Sequence, residues 1–333
     1  MPERVSANQQ FQLGVESTPG TSVAANRLLR CFSFETGIEV DSKFFTGSGR
    51  KYPSVQELNK EWSSFSFDGE MDFNGLIYPL NSVLGTGAIT AHGASATAKD
   101  HTFTPVIAGN ATKKTWTCEH GDSVRAHKFT YGLFTKWGYK LSRDDATTNG
   151  EGIGQEISDG VTITASPTAI ELAPMVADMW NVYLGATSGG LGGTQLLRVK
   201  EVEFDMSNVY QAAWFINRSE PSWTVDIDLV PETTVSLLME ADSVGMAQLA
   251  HLQTGATRYL RVHAVGNEIA TDGPGSVTHE FTHDMAIKFE KPEKFSDVDG
   301  IYGIKWTGRI VEDAAWGSGQ AHKVILTNLL TAL

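Results

Sequence analysis

The sequence predicts a mainly β fold, a β-sandwich or partial barrel with a short flanking helix, present in two tandem copies. Three observations predict it. Apolar and polar residues alternate with period two over several stretches, glycine is frequent at 33 of 333 residues, and a set of segments recurs in the same order about half a chain apart. Period-two alternation puts successive side chains on opposite faces of a strand, and frequent glycine suits tight turns between strands.

The recurrence organises the chain. Residues 13–30 read LGVESTPGTSVAANRLLR and residues 184–198 read LGATSGGLGGTQLLR; the Leu-Leu-Arg of each begins at 28 and at 196, 168 residues later. Each then enters an alternating segment, CFSFETGIEV from 31 and VKEVEFDMSN from 199. Near the ends, GLFTKWGYKLSRD (132–144) parallels GIYGIKWTGRIVED (300–313). Between them, EWSSFSFDGEMDF (61–73) is matched with PSWTVDIDLV (221–230), each followed by an expected short helix, around 74–84 and 231–241. The copies are therefore placed at 10–168 and 180–333, with a junction at 169–179 and an N-terminal arm, 1–26, that overlaps the first copy and is expected to order on assembly.

Each copy has two strands with an apolar and an acidic face. In the first, Phe32, Phe34, Ile38 and Val40 oppose Ser33, Glu35, Glu39 and Asp41; next, Phe65, Phe67, Met71 and Phe73 oppose a row of Asp68, Glu70 and Asp72. In the second, Val202, Phe204 and Met206 oppose Glu201, Glu203 and Asp205, and Trp223, Val225, Ile227 and Leu229 oppose Asp226 and Asp228. Like charges on neighbouring strands cost stability. An ordinary solvated face and a face kept electronegative for a purpose both fit the pattern.

The formal net charge of −13 argues against gripping nucleic acid, which relies on Lys and Arg neutralising phosphates. Cys31 and Cys118 have no neighbouring cysteine, so no zinc ribbon or redox pair is expected. The opening MPERVSANQQFQLG has no apolar core of the signal-peptide kind, and no apolar run approaches membrane-spanning length. Folding in a cytoplasm is the expectation.

At this point the residues resemble a family. FQLGVESTPGTSVAANRLL is similar to the opening of siphophage-type tail tube proteins, and VYLGATSGGLGGTQLLRVKEVEFDM looks like the entry into a second tube domain. The resemblance implies a structural virion protein and not an enzyme, without cofactor or metal. It implies domains that assemble into rings, with one sheet of each lining a lumen through which DNA passes without specific binding. A chain with two fused domains would form the usual sixfold ring as a trimer with pseudo-sixfold symmetry. Partners would be the chain itself and other tail proteins (tape measure, tail tip, terminator), with no membrane; the location would be the virion tail, assembled in the host cytoplasm. On this reading Glu35, Glu39, Asp41, Asp68, Glu70, Asp72, Glu201, Glu203, Asp205, Asp226 and Asp228 line the lumen. Lys136, Lys140, Lys305 and Arg309 weaken its field if they share that face.

Long connections supply the expected contacts between rings. SKFFTGSGRKYPSVQELN (42–59) holds Phe44, Phe45 and Tyr52, and NVYQAAWFINRSEP (208–221) holds Tyr210, Trp214 and Phe215. Aromatics in such loops make either a local core or an interface.

One motif points elsewhere. His279-Glu280-Phe281-Thr282-His283 matches H-E-x-x-H, which binds zinc when both histidines lie one helical turn apart. Here VTHEFTHDMAIKFE alternates like a strand, which would separate the two histidines by about 13 Å. The glycine-rich stretches 47–53, 85–90 and 185–193 lack phosphate-loop spacing and read as turns. A rival from another class, a tandem β-sandwich adhesin or carbohydrate binder, would use the tryptophans as a solvent-facing aromatic platform.

Overall fold

The computed structural model describes residues 5–216, 222–272, 275–317 and 319–333. The fold is mainly β. The first half contains β1 (Gln10–Val15), β2 (Arg27–Leu29), β3 (Ser33–Phe45), β4 (Val55–Glu70), α1 (Ile77–Val83), β5 (Ala88–Ala91), β6 (Lys99–Phe103), β7 (Trp116–Gly121), β8 (Ala126–Ser142), β9 (Ala146–Gly154), β10 (Ser158–Val161) and β11 (Thr168–Ala169). The second contains β12 (Trp180–Gly185), β13 (Val199–Ser207), β14 (Tyr210–Ala213), β15 (Val225–Asp228), β16 (Glu232–Glu240), α2 (Ser243–Thr254), β17 (Arg258–Ala270), β18 (Val277–Phe289), β19 (Ser296–Val298), β20 (Ile301–Ile310) and β21 (His322–Asn328).

Strand pairing runs in the same order in both halves. In the first it is β1–β7–β8–β9–β4–β3, with β10 against the start of β8. In the second it is β12–β17–β18–β20–β16–β13, with β21 against β18. A long strand crosses between the two layers of each half: the start of β8 pairs with β7 and β10, its end with β9 and β13. Tyr131, near the middle of β8, takes φ of 54°, a left-handed conformation uncommon outside glycine. Its backbone N–H is held by Glu16 Oε1 at 2.9 Å.

The halves join at two places. β13 pairs with the end of β8, so one sheet layer continues as β3–β4–β9–β8–β13–β16–β20–β18. On the other layer β21 pairs with β6. A single apolar core runs through both halves, from Phe65, Phe67 and Trp137 to Phe204, Leu237 and Trp306. Strand β9 lies flat on this core because its inward positions are Gly150, Gly152 and Gly154; a Cβ there would overlap the rings of Phe67, Phe65 and Phe129.

Several expected elements are corrected. The 231–241 segment, Glu-Thr-Thr-Val-Ser-Leu-Leu rich, is strand β16, and the second helix follows it at Ser243–Thr254. Asp242 caps that helix through Val244 N and Gly245 N, and Gly255 closes it with φ of 64°. The 42–59 connection is largely hairpin: β3 and β4 stay paired out to Phe45↔Val55, leaving 46–54 as the tip. Residues 10–15 of the expected arm form β1, with Phe11 and Leu13 buried; residues 1–4 lie outside the described residues, as do 217–221 of the second long connection.

Candidate functional site: the charged sheet face and its open edges

The continuous layer has one face on the core and one facing away from it. Paired residues share a face, so the register reads the outer face directly. One row runs Asp68, Asn149, Gly138, Asp205, Thr234, Arg309. The next runs Glu70, Thr147, Lys140, Glu203, Ser236, Thr307. Glu35 lies opposite Ser66, and Glu39 opposite Trp62, on that same side. Glu35, Glu39, Asp41, Asp68, Glu70, Glu201, Glu203 and Asp205 therefore fall on one face across strands from both halves.

The cations share it. Lys136 pairs with Glu151 at 3.0 Å, Lys140 with Glu201 at 2.7 Å, and Lys305 with Glu203 at 3.0 Å. Arg309 reaches Glu290 at 3.1 Å. The hydrogen bond that Lys305 donates lowers the Glu203 carboxyl from its ordinary value, and the one that Lys136 donates to Glu151 raises Lys136. The bases sit on β8 and β20, so Glu201 and Glu203 on β13 are compensated. Among the described residues Glu35, Asp68, Glu70 and Asp205 have no ion-pair partner, and all but Asp205 lie on β3 and β4. Asn59 and, less strongly, Lys43 lower the exposed Asp41 carboxyl.

Three acids expected on this face lie elsewhere. Asp72 is 2% exposed. It lies beyond the end of β4 at Glu70 and accepts from Asn74 N, Gly75 N and Ala173 N at 2.9, 2.7 and 2.6 Å. It leads into α1 as Asp242 leads into α2, and burial raises its carboxyl against those three donors. Asp226 and Asp228 belong to a separate hairpin, β14–β15. Their carboxylates clamp Lys113 of the first half, Tyr131 donates to Asp226 at 2.9 Å, and Ala111 N donates to Asp228 at 2.6 Å. The face of that hairpin is inverted relative to expectation: Val225, Ile227 and Leu229 are exposed, and the acids are covered.

The aromatic set divides. Phe44 is 62% and Tyr52 80% exposed on the β3–β4 arm, with Phe45 beside them. Ile38, Val40 and Leu58 extend the exposed apolar surface down the same arm. Phe215 is 67% exposed, whereas Tyr210 is 5% exposed and its hydroxyl donates to Ser82 O at 2.8 Å, which removes it from any surface contact. Trp214 packs edge-on against Trp62, with Lys60 over its ring at 4.8 Å.

His279 and His283 both lie on strand β18. His279 stacks on Phe73 and its Nδ1 is 3.2 Å from Thr327 O. His283 is buried between Tyr139 Oη at 3.0 Å and His322 Nδ1 at 3.1 Å. Among the described residues no group of three or more His, Cys, Asp or Glu is arranged to hold a metal, and no helix is long and apolar enough to cross a membrane. Both thiols are free, and burial raises each.

The layer ends in two open edges. Among the described residues β3 pairs only with β4 along its length. At the other end, the chain after β18 follows β20 through Glu290 N to Thr307 O at 2.8 Å and Glu293 N to Lys305 O at 3.0 Å, then as β19. The far side of 290–298 has no strand beside it among the described residues. No family model matches this chain, and no curated protein matches it.

Proposed function

We propose that this chain is a structural subunit of the tail-tube type, joining copies of itself head to tail into trimeric, pseudo-sixfold rings that stack into a DNA-conducting tube. The observation that carries the reading is the β13–β8 junction inside the chain. By the shared strand order, β3 holds the place of β13, and 290–298 holds the place of the end of β8. The two open edges are thus the two halves of a junction that the chain already makes once. A contact between two different edges is heterologous and closes into a ring when the rotation permits. Closure also covers edges that would otherwise template aggregation.

On this reading the charged face lines the bore. Its acids disfavour adsorption of a polyanion, most strongly along β3 and β4, where Glu35, Asp68 and Glu70 have no ion-pair partner among the described residues. The β3–β4 arm, with Phe44, Phe45 and Tyr52, and the exposed Phe215 supply contacts between rings, and the ends of the stack meet other tail proteins. The subunit works without cofactor or catalysis and resides in the virion tail. The tryptophans do not favour a carbohydrate-binding platform: Trp116, Trp137, Trp223 and Trp306 are core residues.

Negative-stain microscopy of the purified protein at high concentration tests the reading. Rings or tubes with a central bore are expected; particles that remain single subunits at every concentration refute it.

A further inference from the structure

Beside the β3 edge lies a groove of about 680 Å³, formed where Val5–Phe11, Leu28–Arg30 and Phe32–Phe34 converge. The second half has the corresponding groove. There the short 3-10 turn Ala177–Met179 leads into β12 as Ser6–Asn8 leads into β1, Leu196-Leu197 stands for Leu28-Leu29, and the start of β13 stands for the start of β3. The two grooves differ in the hairpin tips that line them. The second is also lined by Leu141, Ser142 and Arg143, the tip of the β8–β9 hairpin, and Leu141 is buried there. The first is lined instead by His120, Asp122, Ser123 and Val124 of the β7–β8 turn, and among the described residues no tip standing for that of β8–β9 reaches it.

We propose that the groove beside β3 receives the β19–β20 hairpin tip of a second copy, with Phe295 and Tyr302 as its anchor. That tip is the counterpart of the β8–β9 tip, since β18 with β19 stands for β8 and β20 stands for β9 in the shared strand order. Phe295 and Tyr302 stack on each other, with ring centroids 5.0 Å apart and planes 11° apart, and both are exposed. Much of each ring is left open to solvent, Phe295 at 45% and Tyr302 at 63% exposure. The groove offers Phe11, Phe32 and Phe34 on its floor, three rings already in contact with one another. Charge fits as well: Lys291 and Lys294 approach the edge that bears Glu35 and Glu39, as Lys140 meets Glu201 within the chain. Aromatic anchors in a desolvated pocket carry a large share of interface energy.

This proposal rests on the ring reading and sharpens it to one contact. Two measurements separate them. First, S33C is combined in turn with S296C, D297C and V298C, the assembled protein is oxidised, and links are mapped by peptide mass. An interchain link from 33 to the tip in at least one combination is expected. Second, the exposed pair is removed as Phe295→Ala with Tyr302→Ala, and circular dichroism checks the fold. The concentration for half-assembly should rise by about tenfold or more. Rings that form with no such link, or a double variant that assembles like the parent, overturn the groove contact and leave the ring reading standing. A parent chain that never assembles overturns both.

Discussion

Acid should weaken this fold through one buried histidine, and the size of the effect follows from the structure. His322 is buried with His283, whose other ring nitrogen faces the Tyr139 hydroxyl. Burial brings His322 down to about 4 from an ordinary value of 6.5, and burial together with the neighbouring His322 lowers His283 as well. A group whose native value is depressed is neutral in the folded state and takes up its proton on unfolding. His322 therefore contributes stability that is fully present above about 6.5 and lost as pH falls toward 4. The difference of roughly 2.5 pH units at 1.36 kcal/mol each amounts to about 3 kcal/mol. Urea unfolding followed by tryptophan fluorescence, at pH 7, 5.5 and 4, measures it. His322→Gln should be less stable than the parent at pH 7, because His283 loses its ring partner, yet should lose less stability on acidification. Equal pH slopes for parent and variant between 6.5 and 4 would refute the assignment.

Three further outcomes are expected. Gly152→Val drives a side chain into the Phe65 ring; overpacking of this kind costs about 1–3 kcal/mol, read as a lower thermal midpoint, whereas Gly47→Val at the β3–β4 tip, where a Cβ meets only Arg50 Cγ at 3.8 Å, should cost less. Lys113→Met leaves Asp226 and Asp228 covered without their cation, and breaking a buried pair from one side costs about 3–5 kcal/mol; proteolysis at the β14–β15 hairpin should accelerate, and unchanged cleavage counts against the clamp. Reversing Asp68, Glu70 and Asp205 to Lys should leave assembly intact while making the particles retain DNA at low salt and release it at high salt; retention equal to the parent's counts against a bore lined by this face.

Much of the layer was legible because alternation is a local property. The faces of β3, β4 and β13 follow from period two alone, so Glu35, Glu39, Asp68, Glu70, Glu201, Glu203 and Asp205 were found together. The helix at Ser243–Thr254 was also signalled, by Asp242 before it and Gly255 after it, although the β-branched 231–241 stretch drew the expectation one element too early. Asp72 carried the same signal as Asp242, an aspartate two residues before the backbone N–H it caps, and a count by twos carried the row past the end of the strand. Alternation persists in numbering after β4 has ended at Glu70.

By itself the sequence determined that the chain is mainly β and which residues share a side of β3, β4 and β13. Only the tertiary structure decided which strands are neighbours, and hence that Lys136, Lys140 and Lys305 meet Glu151, Glu201 and Glu203 on one face. It alone decided that Asp226 and Asp228 turn inward, because Lys113, more than a hundred residues earlier in the chain, supplies the charge that makes their burial tolerable. A strand's two faces are set by its own backbone. Which face is covered depends on what another part of the chain brings to it, and no local pattern encodes that.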